Sequence, residues 1–160
     1  NAKNVYIRMA EALSDYGTMD ARNTTAVATL EFVSTMVQTL NLILLTASEL
    51  SELRSTLAQS FVNGRDRRGW NRSSKDGARV FSALFECWCH SPISTFSLCL
   101  LAQAYDVSFA LIKRFSELEV TVAFLMQVDK LVQLLESPIF VHLRLQLLDV
   151  DSDYHAPLLK

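Results

Sequence analysis

Glycine and proline are scarce in this 160-residue chain, at four and three residues. So few turn-formers argue against a β-sandwich and against long disordered linkers. Cysteine is sparse as well. Cys87, Cys89 and Cys99 are odd in number and clustered in an apolar stretch, which fits a reducing compartment better than a disulfide framework. Neither sign of charge dominates: 15 basic and 17 acidic residues leave a net charge of −2, and this gives no electrostatic case for nucleic-acid binding. The first residues, starting at Asn1, lack the basic-then-apolar layout of a signal peptide, and the chain reads as a piece of a longer protein.

What the chain has in excess is apolar residues. They make up 50% of it, with a mean hydropathy of +0.19, which implies buried helices, a partner face or a membrane segment. No residue from Cys87 to Tyr105 carries a formal charge, yet His90, Ser91, Pro92, Ser94, Thr95, Ser97 and Gln103 interrupt that run. A span there would expose polar groups to lipid and fall short of the roughly 20 residues required. The uncharged stretch Phe32–Ser48 is interrupted by Gln38 and Asn41 in the same way.

The apolar residues recur at helical spacing. Val5, Met9, Ala12, Leu13 and Tyr16 form a first stripe, with Gly17 as its stop. Asn23 or Thr24 can cap a second helix with Val33, Met36, Val37, Leu40 and Leu44 inward. Thr46-Ala47-Ser48-Glu49 is a capping-box pattern opening a third, with Leu50, Leu53, Leu57 and Phe61 buried and Glu49, Glu52 and Arg54 solvated. Residues 62–76 read as a basic loop carrying Arg65, Arg67, Arg68 and Arg72 around Trp70. Periodicity resumes with Phe81, Leu84, Phe85 and Trp88. Ser91-Pro92 and Ser137-Pro138 are helix starts, since Ser can cap free amides and Pro loses nothing at the first position. Between them lie an apolar central helix (Ile93, Phe96, Leu100, Leu101), a short one (Phe109, Ile112, Phe115), and one opened by a second capping box, Ser116–Glu119, with Val120, Phe124, Val128, Leu131 and Leu135 inward. Phe140, Leu143 and Leu147 mark the last. The two Ser-Pro-Ile starts are 46 residues apart, within the ~40–47-residue period of helical-pair solenoids.

Catalytic and metal motifs fail on spacing. Cys87, Cys89, His90 and Cys99 are zinc-type donors, but residues two apart on a helix point to nearly opposite sides. The cysteines have neither a Gly-rich elbow nor a positioned acid beside them. Asp149, Asp151 and Asp153 imitate a calcium loop, which then places Tyr154 at its turn glycine and Lys160 at its bidentate glutamate. The polar residues set in apolar helices are more informative. His90, Gln103, Gln133, Arg144 and Gln146 either bond within the core or lie on a face that another chain covers.

Trp88-Cys89-His90, Phe96–Tyr105 (FSLCLLAQAY), Leu131–Phe140 (LVQLLESPIF) and Leu143–Leu148 (LRLQLL) resemble the C-terminal region of the associated regulators of PIKfyve, HEAT-repeat scaffolds of vacuole morphology. Leu45–Arg54 is similar too, and the likeness runs from about Val33 to Leu148. It implies an all-α fold of HEAT-like helical pairs or a helical bundle, the C-terminal end of an α-solenoid. The implied role is a non-enzymatic scaffold with no cofactor and no metal. Scaffolds of this family self-associate, engage a Sac-domain polyphosphoinositide phosphatase, and hold it with the lipid kinase making phosphatidylinositol 3,5-bisphosphate. They do so peripherally on cytosolic faces of endosomes, lysosomes or vacuoles. The solenoid used toward the kinase is absent from this piece, so kinase binding falls to the full-length scaffold. A further apolar helix is expected beyond Lys160.

The expected organisation is a lead-in over 1–22, a helical pair over 23–61, the basic loop over 62–76 and a helical assembly domain over 77–160. Candidate partner-binding residues are Trp88, His90, Leu100, Gln103, Tyr105, Gln133, Leu135, Arg144 and Gln146. The alternative is a peripheral lipid-binding module acting through Arg65, Arg67, Arg68 and Arg72.

Overall fold

The computed structural model describes residues 2–19, 26–61, 75–117 and 120–151, together with 155 and 159. Among these it has eight α-helices and no strand: α1 (Ala2–Met19), α2 (Ala26–Thr46), α3 (Ser51–Ala58), α4 (Lys75–Trp88), α5 (Pro92–Leu101), α6 (Tyr105–Phe115), α7 (Val122–Glu136) and α8 (Val141–Leu148). The all-α expectation therefore holds. Residues 62–74, with all four loop arginines, lie outside the described residues, as do Asn23 and Thr24. The end of the expected loop, Lys75 and Asp76, is already the first turn of α4.

The core is built around α5. Every residue from Ile93 to Leu101 is buried, as expected of a helix apolar nearly all round. α4 supplies Val80, Leu84, Cys87 and Trp88, α2 supplies Val33, Val37, Leu40 and Leu44, and α3 supplies Leu53 and Leu57, with Leu50 from the turn before it.

α1 corrects the first stripe. Val5, Met9 and Tyr16 are 56%, 39% and 48% exposed, while Tyr6 and Ala10 are buried and Gly17 lies inside the helix. Tyr6 decides the rotation: its hydroxyl donates to the Leu40 carbonyl, and its ring lies 6.3 Å from that of Trp88. Small residues then face the contact. A Cβ on Gly17 would stand 3.2 Å from His90 Nε2 and 3.7 Å from Val33, so this glycine permits close approach and does not end the helix.

Neither capping-box hydroxyl caps the helix after it, and Glu119 of the second box lies outside the described residues. The Thr46 hydroxyl donates back to the Leu42 carbonyl, 2.7 Å away, and Ser116 does the same to Lys113. Back-bonding inside a helical turn competes with capping the next helix. The cap of α7 is Thr121, whose hydroxyl accepts the Phe124 amide at 3.2 Å. Val120, outside α7, is 63% exposed. In α6 the inward residues are Tyr105 and Ser108, with Leu111 and Phe115 packed against the core, so Phe109 and Ile112 point outward. Ser91 occupies the expected N-cap position of α5, but its hydroxyl pairs with that of Ser94 rather than with an amide.

Two arginines, Arg54, expected on a solvated face, and Arg144, a candidate partner-binding residue, hold helix ends. Arg54 donates to the carbonyls of Leu44 (3.0 Å) and Ala47 (2.6 Å), at the end of α2. Arg144 donates to Leu135 and to Ser137 (3.2 Å), at the end of α7. In each case a 3₁₀ turn, Ser48–Leu50 or Pro138–Phe140, separates the capped helix from the one carrying the arginine. A cation at a helix C-terminus meets both the unpaired carbonyls and the negative end of the helix dipole.

Candidate functional site

A polar chain runs beneath α5 through otherwise apolar surroundings. Trp88 Nε1 donates to Asn41 Oδ1 at 3.1 Å, Asn41 Nδ2 donates to Ser97 Oγ at 2.8 Å, and the Ser97 hydroxyl donates to the Ser94 carbonyl at 3.0 Å. Asn41 is 6% exposed and Ser97 is fully buried. The order of donors follows from the single Ser97 proton: given to the Ser94 carbonyl, it leaves the oxygen free to accept from Asn41. Nearby, the Thr95 hydroxyl returns to the Trp88 carbonyl at 2.6 Å. These bonds lock α2, α4 and α5 together.

On the outer side of this chain α2 and α7 form the walls of a cleft of about 400 Å³, with the start of α5 as its floor. Thr35, Gln38 and Thr39 line it from α2, Ser94 and Ser97 from α5, and Gln127, Lys130 and Gln133 from α7. Sequence reading missed this site. Gln38 and Asn41 figured only as interruptions of an apolar run, although Thr35, Gln38, Thr39 and Leu42 fall at i, i+3, i+4 and i+7, a polar-edged stripe on one helix face.

The second feature is a set of exposed apolar side chains. Phe109 and Ile112 on α6, Leu125 and Met126 on α7, and Leu145 and Leu148 on α8 are between 44% and 79% exposed. Exposed apolar residues in such number are candidates for contact with another chain.

The residues singled out from the sequence divide between core and surface. Trp88 is fully buried and Leu100 is 7% exposed, so their side chains support the surface from behind. Tyr105 is also buried, its hydroxyl donating to Gln146 Oε1 at 2.6 Å and tying α6 to α8. Leu135 packs half-buried against the core. Gln103 is the stop of α5: it takes φ of 60°, its amide bonds the Leu100 carbonyl, and the Ala104 amide bonds that of Cys99. That is the Schellman arrangement, with glutamine where glycine is usual. His90 Nδ1 lies 2.9 Å from the Cys87 carbonyl, beside Gly17. Gln133 is exposed on the cleft rim and donates to Asp129 at 2.8 Å.

Cys87 and Cys99 are buried, and burial pushes their thiols up to about 11 and about 12. Cys89 is exposed, and its thiol too is raised by partial burial, then by the carboxylate of Glu86. All three are therefore held protonated near neutrality, away from the thiolate form that attacks carbonyls or binds metals. No group of three or more His, Cys, Asp or Glu among the described residues is placed to hold a metal ion. α2 is long and apolar enough to cross a membrane over Val27–Thr46, with 33% of that stretch buried inside the fold, and its Asn41 is committed to Trp88 and Ser97.

The whole chain, residues 1–160, matches the family model described as Vacuolar protein 14 C-terminal Fig4p binding. It is 52% identical over 120 residues to the Protein VAC14 homolog of Arabidopsis thaliana, covering 75% of this chain and 15% of that protein. It is 43% identical over 123 residues to the Protein VAC14 homolog of Schizosaccharomyces pombe, covering 77% and 14%. Vacuole morphology and inheritance protein 14 of Saccharomyces cerevisiae is 36% identical over 118 residues, covering 74% and 12%. The matched part is thus 12–15% of these relatives' length. No solved structure matches the chain. The match runs over the whole chain, and the chain belongs to the Vacuolar protein 14 C-terminal, Fig4p-binding family.

Proposed function

We propose that this chain is a non-enzymatic scaffold segment that self-associates and docks a Sac-domain phosphoinositide phosphatase of the Fig4p kind. The observation that carries the self-association is the exposed apolar surface of α6–α8, where Met126, Leu145 and Leu148 are 61%, 61% and 79% exposed. Burying such side chains contributes about 1.5–3 kcal/mol each, enough for a few of them to dominate an assembly. The phosphatase follows from the family that the chain belongs to. The lipid kinase and the cytosolic face of endosomes, lysosomes or vacuoles would be reached through the full-length scaffold.

Leu145→Asp and Leu148→Asp test the surface, because both side chains are exposed and the fold does not depend on them. Light scattering after size exclusion of the full-length scaffold should show an oligomer for the wild type and a smaller species for both variants. Leu100→Asp is no substitute, since a charge there enters the core and unfolds the chain. A wild-type scaffold that stays monomeric at high concentration sinks the self-association, and failure to co-purify with the phosphatase sinks the docking.

A further inference from the structure

The scaffold reading leaves two surfaces for two kinds of partner, and their chemistry differs. The exposed side chains of α6–α8 are apolar, the kind that another copy covers in a permanent interface. The cleft between α2 and α7 is concave. Its floor hydroxyls, Ser94 and Ser97, are buried and already fixed by hydrogen bonds, so they are rigid before any ligand arrives. Its rim carries amides and hydroxyls from Gln38, Thr39, Gln127 and Gln133. Lys130 is the charged residue among those lining it, and none of the lining residues is acidic. Lys130 makes no ion pair with any described residue. A volume of about 400 Å³ lies within the ~300–1,000 Å³ of ordinary ligand pockets and holds a few inserted side chains.

We propose that the phosphatase docks in this cleft, inserting a segment with amide or hydroxyl side chains and one carboxylate that pairs with Lys130. The inference rests on the phosphatase reading above and adds the place and the chemistry of contact. Three features favour this occupant over a second copy. A polar, pre-bonded cleft suits a partner that also exists apart from the scaffold, whose interface is no more apolar than ordinary surface. An apolar surface for copies is already present elsewhere. A cation without a counter-ion selects a partner of complementary charge and sets its register.

The test uses the full-length scaffold and the purified phosphatase, with affinity measured by calorimetry. Lys130→Glu reverses the charge, and Thr39→Trp fills the rim from an exposed position. Each should weaken binding by about tenfold or more, the scale at which losing one anchored contact is felt, whereas Lys130→Arg should bind within about threefold of wild type. Oligomer size by light scattering and helix content by circular dichroism should not change. If wild type binds and both variants bind equally well, the cleft assignment is overturned while the scaffold reading survives. If binding and oligomer size are lost together, the separation of the two surfaces is overturned. If wild type itself does not bind, the phosphatase reading falls, and this inference with it.

Discussion

Replacing Asn41 by leucine tests whether one amide organises the core. Leucine has nearly the shape of asparagine but neither accepts nor donates. The change strips the Trp88 indole N–H of its acceptor (3.1 Å) and Ser97 of its donor (2.8 Å), all three residues being buried. A buried donor left without a partner costs about 1–3 kcal/mol, and the Ser97 bond adds about 1 kcal/mol. Burial of the new apolar side chain returns part of this, about 1 kcal/mol. A net destabilisation of about 2 kcal/mol is expected, roughly a thirtyfold shift toward the unfolded chain. Urea unfolding followed by far-ultraviolet circular dichroism measures it. Adding Trp88→Phe removes the stranded donor, so the double variant should be less destabilised than the two singles combined, with a coupling of about 1–2 kcal/mol. Coupling below about 0.5 kcal/mol, or an Asn41→Leu midpoint equal to wild type, refutes the reasoning. The polar chain would then be incidental to the packing of α2, α4 and α5.

Gly77→Ala should destabilise although it improves helix propensity by about 1 kcal/mol. The added Cβ would stand 2.6 Å from the Thr56 carbonyl oxygen and 2.8 Å from Ser60 Oγ, so α3 and α4 must part, at about 1–3 kcal/mol. A thermal midpoint at or above wild type would refute it. Among the thiols, Cys89 alone is exposed, so a disulfide reagent at pH 8 should modify one cysteine per native chain and three per chain in denaturant. Cys87 and Cys99 keep their protons to about 11 and about 12 in the folded state, against 9.0 ordinarily. Above pH 9 the unfolded chain loses protons that the folded one retains, so the two thiols' contribution to stability is flat below pH 9 and falls as pH rises toward 12. Cys99→Val should flatten that fall; an unchanged slope would assign it to other groups.

How much of this was legible in the sequence follows from what periodicity can and cannot report. It located α2–α5 and their buried leucines, because burial of one face writes a 3.6-residue pattern. It misplaced α1 by about one residue around the helix. Val5, Met9 and Tyr16 are more apolar than Ala10 and Gly17, whereas close packing chose the small residues. It gave Ser116 the cap that belongs to Thr121, because a Ser-x-x-Glu pattern does not say whether the hydroxyl turns back into the preceding helix. The cleft was invisible for another reason. Its walls come from Thr35–Leu42 and Gln127–Gln133, about 90 positions apart, and neither stretch carries a motif alone.

That distance of about 90 recurs, and it joins the fold to the proposed function. Leu50, Leu53, Arg54 and Leu57 match Phe140, Leu143, Arg144 and Leu147 at a constant offset of 90 positions, close to twice the ~40–47-residue period of helical solenoids. The 3₁₀ turns Ser48–Leu50 and Pro138–Phe140 obey the same offset, as do the arginine caps on α2 and α7. The Ser-Pro-Ile pair compared adjacent units and matched poorly, whereas the stronger likeness skips one. α2–α3 and α7–α8 are thus two copies of one helix–turn–helix unit, with α4–α6 between them. The difference between the copies is burial. Leu57 is fully buried in the first, whereas its counterpart Leu147 is 42% exposed, as is Leu145 at 61%. The exposed side of α8 is thus apolar, which suits the self-association proposed above.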